Sequence, residues 1–169
     1  MTPARRGGRS APTRAAGFRW RRLIALTLFV AAMAFIEAMV VVYLRKVFAL
    51  QFDLRVTAKD FHFPEQYLRR EQAREVATIV MLLAVAFMFG RSWWERAGAF
   101  LFAFGVWDVF YYVWLFVLLG WPQSPTARDM LFLIPGEWVA PVWQPLAASL
   151  LMIAAALLVF VKKGSGART

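Results

Sequence analysis

The sequence has no cysteine and a single histidine, His62, in 169 residues. The first absence excludes disulfides, iron–sulfur clusters, thiolate metal sites and a cysteine nucleophile. The second excludes paired haem ligation and a histidine-rich metal centre, and it leaves Ser92 and Ser124 without a base for a Ser-His-Asp arrangement. Acidic residues are scarce, 10 Asp plus Glu against 20 Lys plus Arg. No internal repeat and no phosphate-binding glycine loop is present. What the chain has in quantity is apolar surface: 61% of its residues are hydrophobic and 17% aromatic. A water-soluble domain is about half apolar. The length allows one domain, and the composition points to a membrane protein.

Four apolar stretches approach the roughly 20 residues that a helix needs to cross about 30 Å of hydrocarbon. They cover about 23–44, 71–90, 97–119 and 138–161. Pro141 and Pro145 would fall in the first turns of the fourth, where a missing amide donor is tolerated. The clean apolar part of the second, Val76 to Phe89, reaches only about 21 Å. Either the bilayer thins around it, or the helix starts near Pro64 and Glu65 and carries Glu71, Arg74 and Glu75 below the headgroups, with Gly90 as its stop. The expected fold is therefore an all-α bundle of four transmembrane helices.

Residues 1–22 hold seven arginines and no acid among Gly, Pro, Ser and Ala, and read as a disordered basic arm. Ala32-Met33-Ala34 imitates a signal-peptidase site, but the apolar run continues through Tyr43, so the segment reads as an uncleaved anchor. The arm places the N-terminus in the cytoplasm, and four spans return the tail, 162–169, to the same side. Trp20, Trp93 and Trp94 would then mark the inner boundary, and Trp121, Trp138 and Trp143 the outer one. A bacterial inner membrane fits this arrangement. The arm would meet anionic lipid headgroups; without a folded or aromatic-interleaved module, nucleic acid is a poor fit. In the outer connection, Phe48 to Thr57 alternates with a strand period, and such a strand would lie on the bilayer or pair with Met130–Ile134 or a neighbouring chain.

Ionisable groups inside a span are costly and mark functional sites. Each span offers an acid: Glu37 in the first, Glu71 and Glu75 at the start of the second, Asp108 near the middle of the third, and Glu137 before the fourth. Glu71 and Glu75 share a helix face with Thr78 beyond them, and Asp108 shares one with Tyr111 and Tyr112, whose hydroxyls could donate to it. Arg74 could pair with either glutamate of its helix.

Three chemistries suit this set. In one, Glu37, Glu71, Glu75 and Asp108 converge on a divalent metal, oxygen ligation favouring Fe, Mn, Mg or Ca. The Glu-x-x-His pattern of di-iron bundles is replaced here by Glu71-x-x-Arg74 and Asp108-x-x-Tyr111, and His62 lies outside the bilayer. In the second, Glu37 and Asp108 carry protons or cations, since a carboxyl in apolar surroundings is switchable. Glu37 in the first of four spans resembles the single membrane glutamate of small multidrug-resistance transporters, which are shorter and lack the arm and the long loop. In the third, Glu37, Glu75 and Asp108 act on a lipid or isoprenoid-like substrate bound by Trp107, Tyr111, Tyr112 and Trp114. Trp107-Asp108 and Pro135-Gly136-Glu137-Trp138 resemble part of the aspartate, tryptophan and Pro-x-Glu pattern of membrane carotenoid cyclases, without that family's paired acids. The expectation is a membrane enzyme with an acidic site open to the outer face. A proton- or cation-coupled carrier is the alternative, or an accessory subunit whose polar residues pair with a homo-oligomeric or larger membrane complex.

Overall fold

A computed structural model describes residues 14–47 and 65–165 of the chain. The alternating segment from Phe48 to Thr57 and His62 lie outside the described residues. Four helices and one hairpin follow in order: α1 (Arg14–Val47), α2 (Glu65–Phe89), α3 (Trp93–Leu119), β1 (Arg128–Phe132), β2 (Trp138–Pro141) and α4 (Trp143–Ser165). All four helices are long and apolar enough to cross a membrane: Trp20–Arg45, Tyr67–Phe89, Trp93–Leu119 and Trp143–Lys162.

The boundaries follow local chemistry. Ser92 caps α3 by accepting from the Glu95 amide at 3.3 Å, while the Glu95 carboxylate accepts from the Arg91 amide at 2.9 Å. Each group thereby satisfies an amide that a helix start leaves without a partner. At the other end Gly120 adopts φ 65° and returns its amide to Phe116, the left-handed cap that glycine enters without strain. Gly90 makes the α2–α3 turn possible, because a Cβ there would lie 2.4 Å from the Arg96 amide nitrogen. Pro145 falls in the first turn of α4, where no amide donor is needed.

Three expectations are corrected. The helix begins at Arg14 rather than Leu23, so 14–22 is helical and not part of a disordered arm; Arg and Ala are good helix formers, and the span behind them removes the nucleation penalty. The fourth helix begins at Trp143 rather than Trp138, and Pro141 ends a strand. Finally, Arg128–Phe132 pairs antiparallel with Trp138–Pro141, Asp129 facing Ala140 and Met130 facing Val139, a hairpin within a fold expected to be all-α. A five-residue connection through Pro135 and Gly136 closes this pairing at far lower entropy than a distant segment could. The all-α description therefore needs a two-stranded addition.

α3 is the hub: α1, α2 and α4 all pack on it, whereas α1 and α2 meet sparingly. Small residues permit the close approach. A Cβ on Gly105 would fall 2.7 Å from the Ser149 carbonyl oxygen, and one on Gly98 would lie 3.2 Å from the Phe160 ring. Near the α2–α3 turn the core is apolar, with Leu26, Val30, Leu82, Ala99, Ala103 and Phe160. Toward the hairpin a second cluster gathers Ala38, Tyr112, Leu115, Trp121, Ala127 and Val142. The outward faces are apolar too, with Leu28 65% and Leu151 72% exposed. Water penalises such a surface and lipid does not. Glu37 and Glu71 are buried within the bundle, while Arg91, Arg128 and Glu137 beyond the helix ends are exposed.

Candidate functional site

The polar interior lies toward the hairpin end. Glu37 of α1 is buried, and its carboxylate forms an ion pair with Arg74 of α2 and accepts from the Thr78 hydroxyl. The same Arg74 reaches the buried Glu71 through Nη2 at 2.8 Å and Nε at 2.9 Å. One guanidinium thus bridges two carboxylates from two helices, using the fixed fork of donors that lysine lacks. The spacing is helical, Glu71 three residues before Arg74 and Thr78 four after it, which brings all three to one side of α2. The Thr78 hydroxyl also lies 3.1 Å from the Arg74 carbonyl oxygen, so its one proton serves either that oxygen or Glu37.

Glu75 has different work. It does not join Glu71 but accepts from the Leu133 amide at 2.9 Å, while Gln72 donates to the Leu133 carbonyl oxygen at 3.2 Å. Two side chains one turn apart therefore hold both polar groups of one hairpin residue. Leu133 lies just past the end of β1, and its backbone has no ladder partner to satisfy it. This pair clamps the hairpin to α2.

On α3, Asp108 accepts from Ser149 of α4 at 2.7 Å, and among the described residues no cation pairs with it. The expected donation from Tyr112 to Asp108 is corrected: Tyr112 donates to Asp129 of β1 at 3.1 Å. The hairpin brings its own carboxylate to the level of Tyr112, and that ring is packed against Trp121 and pointed at the strand. Burial pushes the Asp129 carboxyl up to about 6, against the opposing pull of Arg45 and the Tyr112 hydroxyl. Arg45 itself stacks over the Trp121 ring at 4.5 Å. Tyr111 sits among these groups, its hydroxyl acted on by Arg45, Arg74, Asp108 and Asp129 together.

The aromatic residues divide. Trp114 donates Nε1 to the Ala31 carbonyl oxygen at 2.9 Å and sets its ring edge-on to Phe35, fastening α3 to α1. Trp107 stacks on Tyr111 with centroids 6.2 Å apart, and its Nε1 is buried with no hydrogen-bond partner among the described residues. Glu137 is exposed at the hairpin and takes no part in the cluster.

The four expected carboxylates do not gather into one metal-holding group among the described residues. Among the described residues no group of three or more His, Asp or Glu could hold a metal ion. The Arg74 guanidinium stands between Glu37 and Glu71, where a cation would have to sit. Sequence reasoning missed two members of the interior, Ser149 and Asp129. Ser149 is a lone hydroxyl in an apolar helix, a visible signal; Asp129 was legible only once the hairpin folded back on α3.

The four apolar helices are compatible with a small membrane protein. No family model matches the chain, and neither a curated protein nor a solved structure matches it.

Proposed function

We propose that this chain is a small multi-pass membrane enzyme that transfers a proton to or from a lipid-soluble substrate, with Asp108 as the reacting acid. The observation that carries this reading is the sorting of the interior carboxylates. Glu37 and Glu71 are bound to Arg74, and Glu75 to the Leu133 amide, whereas Asp108 has one hydroxyl donor and, among the described residues, no paired cation. A carboxyl so placed can exchange its proton without breaking an ion pair. Glu37, Glu71 and Arg74 act as positioning residues that hold α1 and α2 in register.

Arg22 against the Phe89 carbonyl oxygen, Arg96 over the Phe87 ring and Lys162 near the end of α4 all belong to the end opposite the hairpin. With the arginines of the arm they favour placing that end, and both termini, in the cytoplasm of a bacterial cell. The acidic interior then opens outward, and the arm meets anionic headgroups.

The test is turnover in lipid. The protein in nanodiscs is incubated with a total membrane-lipid extract, and the extract is compared by mass spectrometry before and after. We expect one species to change with the parent and with Glu137→Gln, and not with Asp108→Asn. If nothing changes while proton flux into pyranine-loaded vesicles is lost in Glu37→Gln, the chain is a carrier and the enzyme reading is wrong.

A further inference from the structure

The reading of Asp108 as the reacting acid is the basis of this inference, which names what that site receives. Two donors stand on successive turns of α3. Trp107 Nε1 is buried with no hydrogen-bond partner among the described residues, and Tyr111, one turn further on, stacks on its ring. Their rings are nearly parallel, 26° apart, so the two donors belong to one side of the helix. That side faces inward, because Tyr111 packs against the buried cluster that holds Ala38 of α1 and Trp121. Asp108, next to Trp107, keeps acceptor capacity beyond its single bond from Ser149.

A buried donor without an acceptor is penalised, and in a native fold it calls for a partner. What is missing here is an oxygen: one that accepts from Trp107 and Tyr111 and, if it carries a proton, donates to Asp108. The surroundings of that oxygen are aromatic. Phe104 meets the Trp107 ring edge-on at 5.5 Å, and Phe132 of the hairpin stacks on Phe104 at 6.2 Å. We infer that Trp107 Nε1 and the Tyr111 hydroxyl bind the terminal oxygen, carbonyl or hydroxyl, of a molecule whose body is apolar. The aromatic row receives that body and Asp108 meets the oxygen's proton.

The test observes the indole of Trp107. Full-length protein labelled with nitrogen-15 tryptophan is placed in nanodiscs, and the Trp107 resonance is assigned by its loss in Trp107→Phe, or in Trp107→Tyr should the first variant fail to fold. Three probes are added: decylubiquinone for a carbonyl, farnesol for a hydroxyl, and dodecane for an apolar body alone. We expect a saturable downfield shift of the Trp107 indole proton with an oxygenated probe and none with dodecane. The probe that saturates at the lower concentration distinguishes carbonyl from hydroxyl. Removing one neutral hydrogen bond in Tyr111→Phe should weaken binding about five-fold. No saturable shift with either oxygenated probe, an equal response to dodecane, or unchanged affinity in Tyr111→Phe overturns the inference. A shift without any turnover in lipid leaves it standing and removes the enzyme reading; turnover lost in Asp108→Asn without a shift does the reverse.

Discussion

Removing Arg74 should expose how much of the fold depends on the interior ion pairs. In Arg74→Met the side chain keeps an unbranched stem and loses its charged head, so Glu37 and Glu71 remain buried beside an apolar group. Taking one partner from a buried pair costs about 3–5 kcal/mol. The two acids have side chains only 7% and 12% exposed, but Arg74 is 32% exposed, and partial screening places the expected loss near the lower limit. A loss of about 3 kcal/mol corresponds to a fall of roughly 10 °C in melting temperature for a chain of this size. The assay is thermal unfolding in mild detergent, followed by circular dichroism, on the four proteins of a double-mutant cycle. Glu37→Gln added to Arg74→Met removes one of the two stranded charges and keeps an acceptor for Thr78, so it should restore part of the loss. Were Arg74→Met to melt with the parent, or Glu37→Gln to deepen the defect, the pairing described above would not govern stability.

Gly105→Ala places a Cβ 2.7 Å from the Ser149 carbonyl oxygen and 2.9 Å from Ile153 Cγ1. Overpacking of about 1–3 kcal/mol should outweigh the roughly 1 kcal/mol that alanine gains in a helix, so its melting temperature falls while that of Gly136→Ala, with nothing within 4 Å, does not. For Asp129, whose carboxyl rises from 3.8 to about 6 on folding, the native state binds the proton more tightly than the unfolded chain. Its contribution therefore favours folding below about pH 4 and is lost between about pH 4 and 6, with Tyr112, Arg45 and Asp108 as the facing groups; melting temperatures across that range should slope downward in the parent and flatten in Asp129→Asn. Glu75→Leu removes the acceptor of the Leu133 amide, and hydrogen exchange at Leu133 should quicken about ten-fold while the helices keep their protection.

Much of the architecture was legible in the residues themselves. Four runs of apolar side chains make four helices whatever their neighbours, because a backbone in lipid must satisfy its own hydrogen bonds. Pro64-Glu65 and Gly90 marked the long form of α2, since helix starts and stops are local chemistry, whereas the start of α3 at Trp93 lies before the expected 97. The acids of the spans were visible as anomalies against an apolar background. Their partners were not. Glu71 and Glu75 occupy the same face by spacing, yet one meets Arg74 and the other a strand amide. Which partner each takes depends on where α1 and the hairpin come to rest.

Trp138–Pro141 shows the same division from the other side. Its apolar character continues into α4 without a break, and composition alone extends the helix through it; pairing with Arg128–Phe132 across a short turn makes it a strand. That choice carries Asp129 to Tyr112 and Leu133 to Glu75, so it decides the chemistry of the interior. Four helices long and apolar enough to cross a membrane, with costly acids among them, could be read from the residues alone, because hydropathy and helix starts act over neighbouring residues. Which of those acids pair with a cation, as Glu37 and Glu71 do with Arg74, and which take only a neutral donor among the described residues, as Glu75 and Asp108 do, follows from the tertiary structure, because charge compensation is a matter of a few ångströms between elements far apart in the chain.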